Sequence, residues 1–180
     1  MLRVVAEYGY DGASTQRIAH AASLTPGLIH YHFASKQEIL LALVELLARI
    51  AHEGVEKHAA RAQDDRARLH AFLDAMLQLG AGSNPEGVAA WVAVTAEAIR
   101  EPKVARAVRA VLASWQGELQ TLCAPLTPSR RAAEKAAAAL VAFVQGCFVQ
   151  AAVAPDSIPS GSAAPAARAM AAALLPGARP

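Results

Sequence analysis

Residues 15–36 read TQRIAHAASLTPGLIHYHFASK, and their apolar spacing predicts two short helices separated by a tight break. The first helix is expected over residues 15–22 and the second over residues 26–32. Thr25 is placed to cap the second helix by accepting from a free backbone N–H of its first turn, and Pro26 fits the first helical position. Two short helices joined by about three residues form a helix-turn-helix, whose second helix lies in the DNA major groove.

This stretch and its flanks resemble the TetR family of bacterial transcriptional regulators. The turn, cap, core and phosphate-facing positions all fall at that family's spacing. The residues that carry the resemblance are Gly12, Thr15, Ile18, Ala19, Ala22, Leu24, Gly27, Tyr31, His32, Phe33, Ser35, Lys36 and Leu40. The resemblance implies an N-terminal three-helix DNA-binding module followed by a larger helical body.

The composition favours helices throughout. Hydrophobic residues make up 54% of the chain and aromatic residues only 5%, because alanine supplies much of the apolar content. No segment has the alternating β-branched pattern of strands. We therefore expect an all-α, TetR-like protein of about nine helices. A helix-turn-helix DNA-binding domain is expected at residues 1–45, and a ligand-binding and dimerisation domain at residues 46–180.

Cysteine usage and hydropathy bear on the compartment. Cys123 and Cys147 lie on apolar helix faces, which is typical of buried thiols rather than of a redox pair. We expect no apolar run long enough to span a bilayer, and no signal peptide at the N-terminus. The sequence thus predicts a cytoplasmic protein with no membrane partner.

The positive charge of the chain is small for a protein that binds DNA. The whole chain carries a formal net charge of +2. Within residues 1–36, three permanent cations stand against the carboxylates of Glu7 and Asp11. Non-specific attraction to phosphates is therefore expected to be modest, and binding must depend on individually placed contacts.

The second helix of the pair and its flanks supply the candidate DNA contacts. At its start, Gly27 lets the backbone approach the bases and Leu28 can read a thymine methyl group. Thr25, Pro26 and His30 are also expected to point toward base edges. Tyr31, His32 and Lys36 are expected to meet phosphates. Packing against the preceding helix stays open for Tyr31 and His32, as does a purely capping role for Thr15. The candidate DNA-binding residues are Thr15, Thr25, Pro26, Gly27, Leu28, His30, Tyr31, His32 and Lys36.

A long helix and an apolar bundle follow. Ser35 and Glu38 form a capping box at the start of a helix expected over residues 36–61. Further helices are expected over residues 64–80, 86–100, 103–123, 129–153 and 163–175, with a break at residues 80–85 and a frayed tail beyond residue 175. Small residues on the last two helices suit close packing against a second copy. In the TetR family these helices form a four-helix dimer interface, so we expect a homodimer.

The body also offers candidates for a small-molecule site. Residues 87–119 resemble the ligand-binding body of the BetI-like branch, with a Trp, an acid-Ala-small-Arg run, a Pro and a second Trp. Each candidate could equally be part of the core, whereas a cationic ligand could be held by a Trp together with a Glu. The candidate effector residues are Phe72, Met76, Trp91, Thr95, Glu97, Trp115, Glu118 and Phe143.

No motif for catalysis or metal binding is found in the sequence. It lacks a Gly-rich phosphate loop, a nucleophile elbow and an HExxH helix, so we expect no enzyme activity, no cofactor and no metal site. The sequence predicts a ligand-responsive, sequence-specific transcriptional regulator, a repressor released from operator DNA by a small molecule. Two alternatives stay open: a regulator without an effector, whose body is only a dimerisation scaffold, and a small helical binding protein with an incidental helix-turn-helix.

Overall fold

The computed structural model describes residues 1–79 and 84–175, and within these ranges it contains nine α-helices and no β-strand. The predicted all-α class is confirmed. The helices are α1 (Leu2–Gly12), α2 (Thr15–Ala21), α3 (Pro26–His32), α4 (Lys36–Ala59), α5 (Asp65–Met76), α6 (Pro85–Glu97), α7 (Pro102–Cys123), α8 (Arg130–Val153) and α9 (Ala163–Leu174). Two short 3₁₀ turns, Ala124–Leu126 and Pro155–Ser157, follow α7 and α8.

Most helix ends lie within a few residues of their predicted positions. Helix α3 has the predicted bounds, whereas α6 ends at Glu97, three residues earlier than its apolar pattern indicated. After Glu97 the backbone continues in tighter turns, in which the Ile99 N–H donates to the Ala96 carbonyl and the Arg100 N–H donates to the Glu97 carbonyl. The predicted break at residues 80–83 and the predicted frayed tail at residues 176–180 lie outside the described residues.

From the sequence, residues 1–8 are expected to form a helix that ends at Gly9, but α1 continues beyond this glycine. The helix continues to Gly12 through a kink, because Gly9 takes φ 65° and ψ −177°. An L side chain rarely adopts this backbone conformation, so a glycine suits the kink. The extension places Tyr8 and Tyr10 on either side of the kink, directly before the helix-turn-helix.

The chain divides into two compact units, and the first consists of Met1–Arg49 and Asn84–Ala110. In this unit α1 packs against α6, and α2 packs against α3. Apolar side chains from the first four helices and from α6 and α7 form its core. The buried members include Val4, Val5, Ile18, Ile29, Ile39, Leu40, Leu43, Trp91, Val94 and Val104.

The second unit consists of the described parts of Ile50–Ser83 and Val111–Pro180. Here α9 packs against both α5 and α8. Arg168 of α9 donates to both carboxylate oxygens of Asp74 on α5, at 3.0 and 2.9 Å. The core includes Leu69, Phe72, Leu73, Trp115, Leu119, Leu140 and Phe148. These packing units do not test the functional division between residues 45 and 46, which stays a prediction.

Helix α8 corrects the expectation that no apolar run reaches membrane-spanning length. By length and composition Arg130–Val153 could cross a bilayer, with a mean hydropathy of 1.9 over its most apolar window. Its many alanines raise this value. One such helix is weak evidence for a membrane, because the core helix of a globular protein meets the same criteria. Buried residues recur along one face of α8, from Ala133 to Phe148, as in a core helix.

Candidate nucleic-acid interface and effector residues

Local hydrogen bonds fix the first half of the helix-turn-helix. Ser14 caps α2, because its Oγ accepts from the backbone N–H of Arg17 at 3.2 Å. The cap is therefore Ser14 rather than Thr15, which is the first helical residue and half-buried. The side chains of Ile18 and Ala19 are buried. Helix α2 thus presents one short apolar face to its neighbours.

The turn between α2 and α3 is a Schellman arrangement. Ser23 takes a left-handed conformation with φ 55°. Its N–H donates to the carbonyl of His20 at 3.0 Å, and the N–H of Leu24 donates to the carbonyl of Ala19 at 2.8 Å. These two bonds satisfy the last carbonyls of α2 and reverse the chain within three residues. The turn thereby fixes the direction in which α3 starts.

Helix α3 begins as the sequence predicted. Thr25 Oγ1 accepts from the backbone N–H of Leu28 at 3.3 Å, and Pro26 occupies the first turn. Only Ile29 of this helix is buried. A seven-residue helix held by one cap and one buried side chain leaves the rest of its surface to solvent.

The predicted base-facing and phosphate-facing residues of α3 share this solvent surface. Tyr31 is 82% exposed and Leu28 is 40% exposed. A Cβ added at Gly27 would meet nothing within 4 Å, so the backbone is open to close approach there. The exposed candidates on α3 and its cap are Thr25, Pro26, Gly27, Leu28, His30, Tyr31 and His32. Their roles at DNA stay predictions.

The rings of Tyr31 and His32 contact each other. Their rings meet edge to face, with centroids 5.2 Å apart and planes at 85°. Tyr31 is largely solvent-exposed, and His32 is also exposed. The ring pair therefore extends the exposed surface of α3 at its C-terminal end.

Lys36, a predicted phosphate contact, has internal partners. Its Nζ donates to the backbone carbonyl of Asp11 at 3.1 Å and lies 4.3 Å from the centroid of the Tyr10 ring. Burial raises the pKa of the Tyr10 hydroxyl, and the carboxylate of Glu101 raises that pKa further. Lys36 thus joins the start of α4 to the end of α1. Its role at phosphate stays a prediction.

Arg17 makes a parallel contact that the sequence analysis did not identify. Its guanidinium donates to the carbonyl of Gly12 at 2.8 Å and lies 4.7 Å from the centroid of the Tyr8 ring. A Cβ added at Gly12 would come within 2.9 Å of Tyr8 Cβ. Cations from α2 and α4 therefore each cover one tyrosine of α1 and satisfy one of its last carbonyls. A Tyr-x-Tyr pair around a kinking glycine is the signal that could have indicated this.

The start of α4 has the predicted capping box with one change of partner. Ser35 Oγ accepts from the N–H of Glu38 at 3.2 Å. The Glu38 carboxylate accepts from the N–H of Ala34 at 2.8 Å, one residue before the expected position. Both bonds connect α4 directly to the end of α3.

Three of the candidate effector residues lie on α6, in the first unit. Trp91 is buried, and the Thr95 hydroxyl donates to its backbone carbonyl at 2.7 Å. The Glu97 carboxylate is buried and accepts from Arg100 at 3.1 Å, and Arg100 also lies 3.6 Å from Asp11. Thr95 and Glu97 thus have partners inside their own unit.

Five candidates lie in the second unit. Phe72, Met76 and Trp115 are buried, whereas Phe143 is half-buried. Burial raises the pKa of the half-buried Glu118 carboxyl, and nearby His52 partly opposes this shift. The structure therefore divides the eight candidates between the two units, three and five. Their assignment to an effector site stays a prediction.

The thiols of both cysteines are buried. Burial raises the pKa of the Cys123 thiol to about 11 and also raises the pKa of the Cys147 thiol. Both thiols are free and buried, as their apolar surroundings in the sequence predicted. Within residues 1–79 and 84–175, no group of three or more His, Cys, Asp or Glu side chains is arranged to hold a metal ion.

A capped pair of short helices with an open second helix, at the head of an all-helical chain, defines a helix-turn-helix transcriptional regulator. Residues 2–43 match the family model described as bacterial regulatory proteins of the TetR family. Residues 65–176 match the model described as the C-terminal part of a BetI-type transcriptional repressor. The chain belongs to the TetR family and has the C-terminal region of its BetI-type repressors.

Individual relatives agree with this assignment. The chain is 31% identical, over 154 residues, to the HTH-type transcriptional regulator BetI of Rhizobium meliloti (strain 1021); the match covers 83% of this chain and 72% of that protein. Its fold is similar to that of a transcriptional regulator from Rhodococcus sp. Rha1, with a TM-score of 0.86, 24% identity, and coverage of 98% and 92% of the two chains.

A second solved structure is similar over the same extent. It is a transcriptional regulator from Saccharomonospora viridis in complex with choline. The TM-score is 0.76 at 21% identity, and 97% of this chain and 91% of that chain are covered. At this identity the likeness shows the fold. The predicted family, fold and regulator class are thus confirmed.

Proposed function

We propose that this regulator reads operator DNA through the exposed surface of α3 and its cap. The observation that carries the proposal is the exposure of every candidate residue on α3, on a helix held by one buried side chain. Such a helix can enter the major groove without any rearrangement of its own core. Leu28 and the backbone at Gly27 would face base edges, and Tyr31 and His32 would face phosphates.

Two copies of the helix-turn-helix, one from each protomer of a dimer, would together supply the sequence specificity of DNA binding. A single recognition helix buries little surface, so specific sites are read by dimers on half-sites about one helical turn, or a multiple of it, apart. We propose a homodimer formed through α8 and α9, where Val149, Val153 and Leu174 are exposed apolar residues on helices rich in alanine. Exposed apolar side chains on such helices suit close helix–helix packing.

Selection of bound sites from random duplex DNA tests this proposal. Enrichment of a near-palindromic sequence by the full-length protein is the expected result, with two protomers or a multiple of two bound per site. Loss of enrichment in a Leu28→Ala variant at one base position, with the rest of the site retained, would assign that position to α3. Recovery of no preferred sequence would contradict the proposal.

We further propose that a small cationic effector releases the DNA. The related protein from Saccharomonospora viridis was solved with choline, a quaternary amine. In the second unit, Trp115 is a buried aromatic residue of α7, and Glu118, three residues later, is a half-buried carboxyl group whose pKa is raised by burial. Aromatic rings and a carboxylate are the groups that bind quaternary ammonium ions. Release requires that the effector bind the DNA-free state more tightly than the DNA-bound state.

Choline titration separates the two alternatives for the body. The expected result is a change in tryptophan fluorescence, a higher melting temperature and a weaker complex with the enriched duplex. Glu118→Gln should reduce all three responses, and Glu53→Gln, an exposed site on α4, should leave them unchanged. A wild-type protein that gives none of these responses would favour a body that serves only for dimerisation.

The proposed compartment and chemistry follow from this role. A regulator that binds operator DNA acts where the chromosome lies, so we propose a cytoplasmic location. The proposed activity is binding alone, with no reaction step. Fractionation of cells that express a tagged full-length chain would test the location, and enrichment in the membrane fraction would contradict it.

A further inference from the structure

Residues 1–36, which include the proposed recognition surface, have few permanent cations available for phosphates. Residues 1–36 contain Arg3, Arg17 and Lys36, and no Lys or Arg lies on α3. Arg17 is engaged with the Gly12 carbonyl and the Tyr8 ring. Lys36 is engaged with the Asp11 carbonyl and the Tyr10 ring. Two of the three permanent cations in residues 1–36 are therefore already bound to backbone carbonyls and tyrosine rings of α1.

Three histidines lie at the C-terminal ends of the two helices of the helix-turn-helix. His20 lies in the last turn of α2, and His30 and His32 lie in the last turn of α3. All three side chains are exposed. They are half of the chain's six histidines, gathered in its first 36 residues. A protonated imidazole is favoured at the C-terminal end of a helix and is a strong donor to phosphate.

The groups around these histidines come from α1, α2 and α4. His20 borders a recess of about 350 Å³, whose wall includes Arg3, Glu7 and Tyr8 of α1 together with Gln16 and Arg17 of α2. The His32 ring contacts the Tyr31 ring. The charged groups of the first turn of α4 are Lys36 and Glu38, which bond to backbone groups at Asp11 and Ala34. Of the carboxylates on these elements, Glu7 lines the recess beside His20, Glu38 accepts from the N–H of Ala34, and Asp11 lies 3.6 Å from Arg100. All three side chains are exposed to solvent.

We propose that protonation of His30 and His32, reinforced by His20, supplies the titratable positive charge with which this protein holds DNA, so that affinity rises as pH falls from 8 to 6. The inference rests on the proposed use of α3 at the operator. Full protonation takes the side-chain charge of residues 1–36 from +1 to +4. Histidine is the side chain whose ordinary titration falls in this range of pH.

The direction in which DNA affinity changes with pH follows from proton linkage. Phosphates stabilise the charged imidazole, so DNA binding takes up protons wherever the free imidazole is neutral. The extra affinity is complete below the titration of the free protein and is lost as pH rises through the titration of the complex. Each further phosphate that a protonated histidine neutralises also steepens the fall of log affinity with log salt concentration by about 0.9.

The wild-type test uses fluorescence anisotropy with the duplex enriched from random DNA at pH 7.0. Binding is measured at pH 6.0, 7.0 and 8.0 at constant ionic strength, then repeated over a salt series. We expect affinity to be about tenfold or more higher at pH 6.0 than at pH 8.0, which corresponds to a mean uptake of about half a proton or more on binding across this range. The salt dependence should be steeper at pH 6.0. Circular dichroism at each pH checks that the fold is unchanged.

Three variants locate the effect. The double variant His30→Gln with His32→Gln should bind with nearly the same affinity at all three pH values. That affinity should be close to the weaker one that the wild type shows at pH 8.0. His58→Gln removes another exposed histidine, on α4, and should keep the wild-type dependence on pH. His32→Arg places a permanent charge on α3 and should raise the affinity at pH 8.0.

The outcomes separate this inference from the proposed function. Equal affinity at pH 6.0 and 8.0, with sequence-specific binding retained, would overturn the inference and leave the proposed function intact. An unchanged pH dependence in the double variant would also overturn the inference. Absence of sequence-specific binding at every pH would instead remove the proposed function on which the inference depends.

Discussion

Helices α3 and α6 both carry predicted binding residues, and the structure treats the two sets in opposite ways. On α3 the candidates lie in solvent, with only Ile29 buried beneath them. On α6, Trp91 is buried, Thr95 bonds within its own helix, and Glu97 pairs with Arg100. Polar residues on an apolar helix can therefore find partners nearby, whereas the side chains on the exposed face of a short, capped helix stay open to solvent. Exposure thus distinguishes the two sets of candidates.

The largest effect is expected from the apolar anchor of α3. Ile29→Ala removes the only buried side chain of that helix and should lower the free energy of unfolding by about 3 kcal/mol. Leu28→Ala, one residue earlier on the exposed face, should stay within about 0.5 kcal/mol of the wild type. Urea unfolding followed by circular dichroism measures both. Equal losses would show that the two faces of α3 are not distinct.

A smaller effect is expected from the buried carboxylate of α6. Glu97→Gln weakens the contact with Arg100 and should cost about 1.5 kcal/mol, near the lower end for a charged hydrogen bond because Arg100 is mostly exposed. Glu53→Gln, on an exposed part of α4, serves as the control and should be neutral. Thermal unfolding and choline titration are measured in parallel. A lost choline response with unchanged stability would place Glu97 in an effector site instead.

The cap of α3 should contribute slightly less. Thr25→Ala removes the oxygen that accepts from the Leu28 N–H and should cost about 1 kcal/mol, whereas Thr25→Ser keeps an acceptor and should cost less. Hydrogen exchange of the Leu28 amide reports on the cap directly. If exchange of this amide is the same in the Ala and Ser variants, the hydroxyl has no capping role.

The smallest effect should be an increase in stability at the turn. Ser23 holds φ 55°, a conformation that glycine adopts without steric conflict. Ser23→Gly should raise the free energy of unfolding by about 0.5 kcal/mol, after allowance for the greater entropy of glycine in the unfolded chain. Ser23→Ala should give no such increase. A destabilised Gly variant would argue that the serine side chain itself supports the turn.

The sequence predicted α3 well because its determinants are local. Thr25, Pro26 and Ile29 lie within five residues, and a cap, a first-turn proline and one apolar anchor need no distant partner. The same holds for Ser35 and Glu38 at the start of α4. These elements could be read from spacing alone, and the TetR family resemblance rests on them.

The contacts that sequence reasoning missed join residues far apart in the chain. Lys36 meets Asp11 across 25 positions, and Gln37 donates to Glu101 across 64 positions at 2.9 Å. Such pairs depend on how α1, α4 and α6 pack, which no local pattern encodes. The kink at Gly9 is a further example, because a glycine near a helix end predicts a stop as readily as a bend. An effector site likewise depends on how helices pack together, which local spacing does not specify.

The most direct test of the central claim compares two equally exposed side chains. Tyr31 on α3 is 82% exposed, and Ile99, in the turn after α6, is 86% exposed. The affinity of Tyr31→Ala and Ile99→Ala for the enriched duplex is measured beside the melting temperature of each variant. We predict that Tyr31→Ala weakens binding about tenfold with an unchanged melting temperature, a loss typical of one well-placed contact, and that Ile99→Ala binds like the wild type. Wild-type affinity in the Tyr31→Ala variant would contradict the claim that the exposed surface of α3 is the surface that holds DNA.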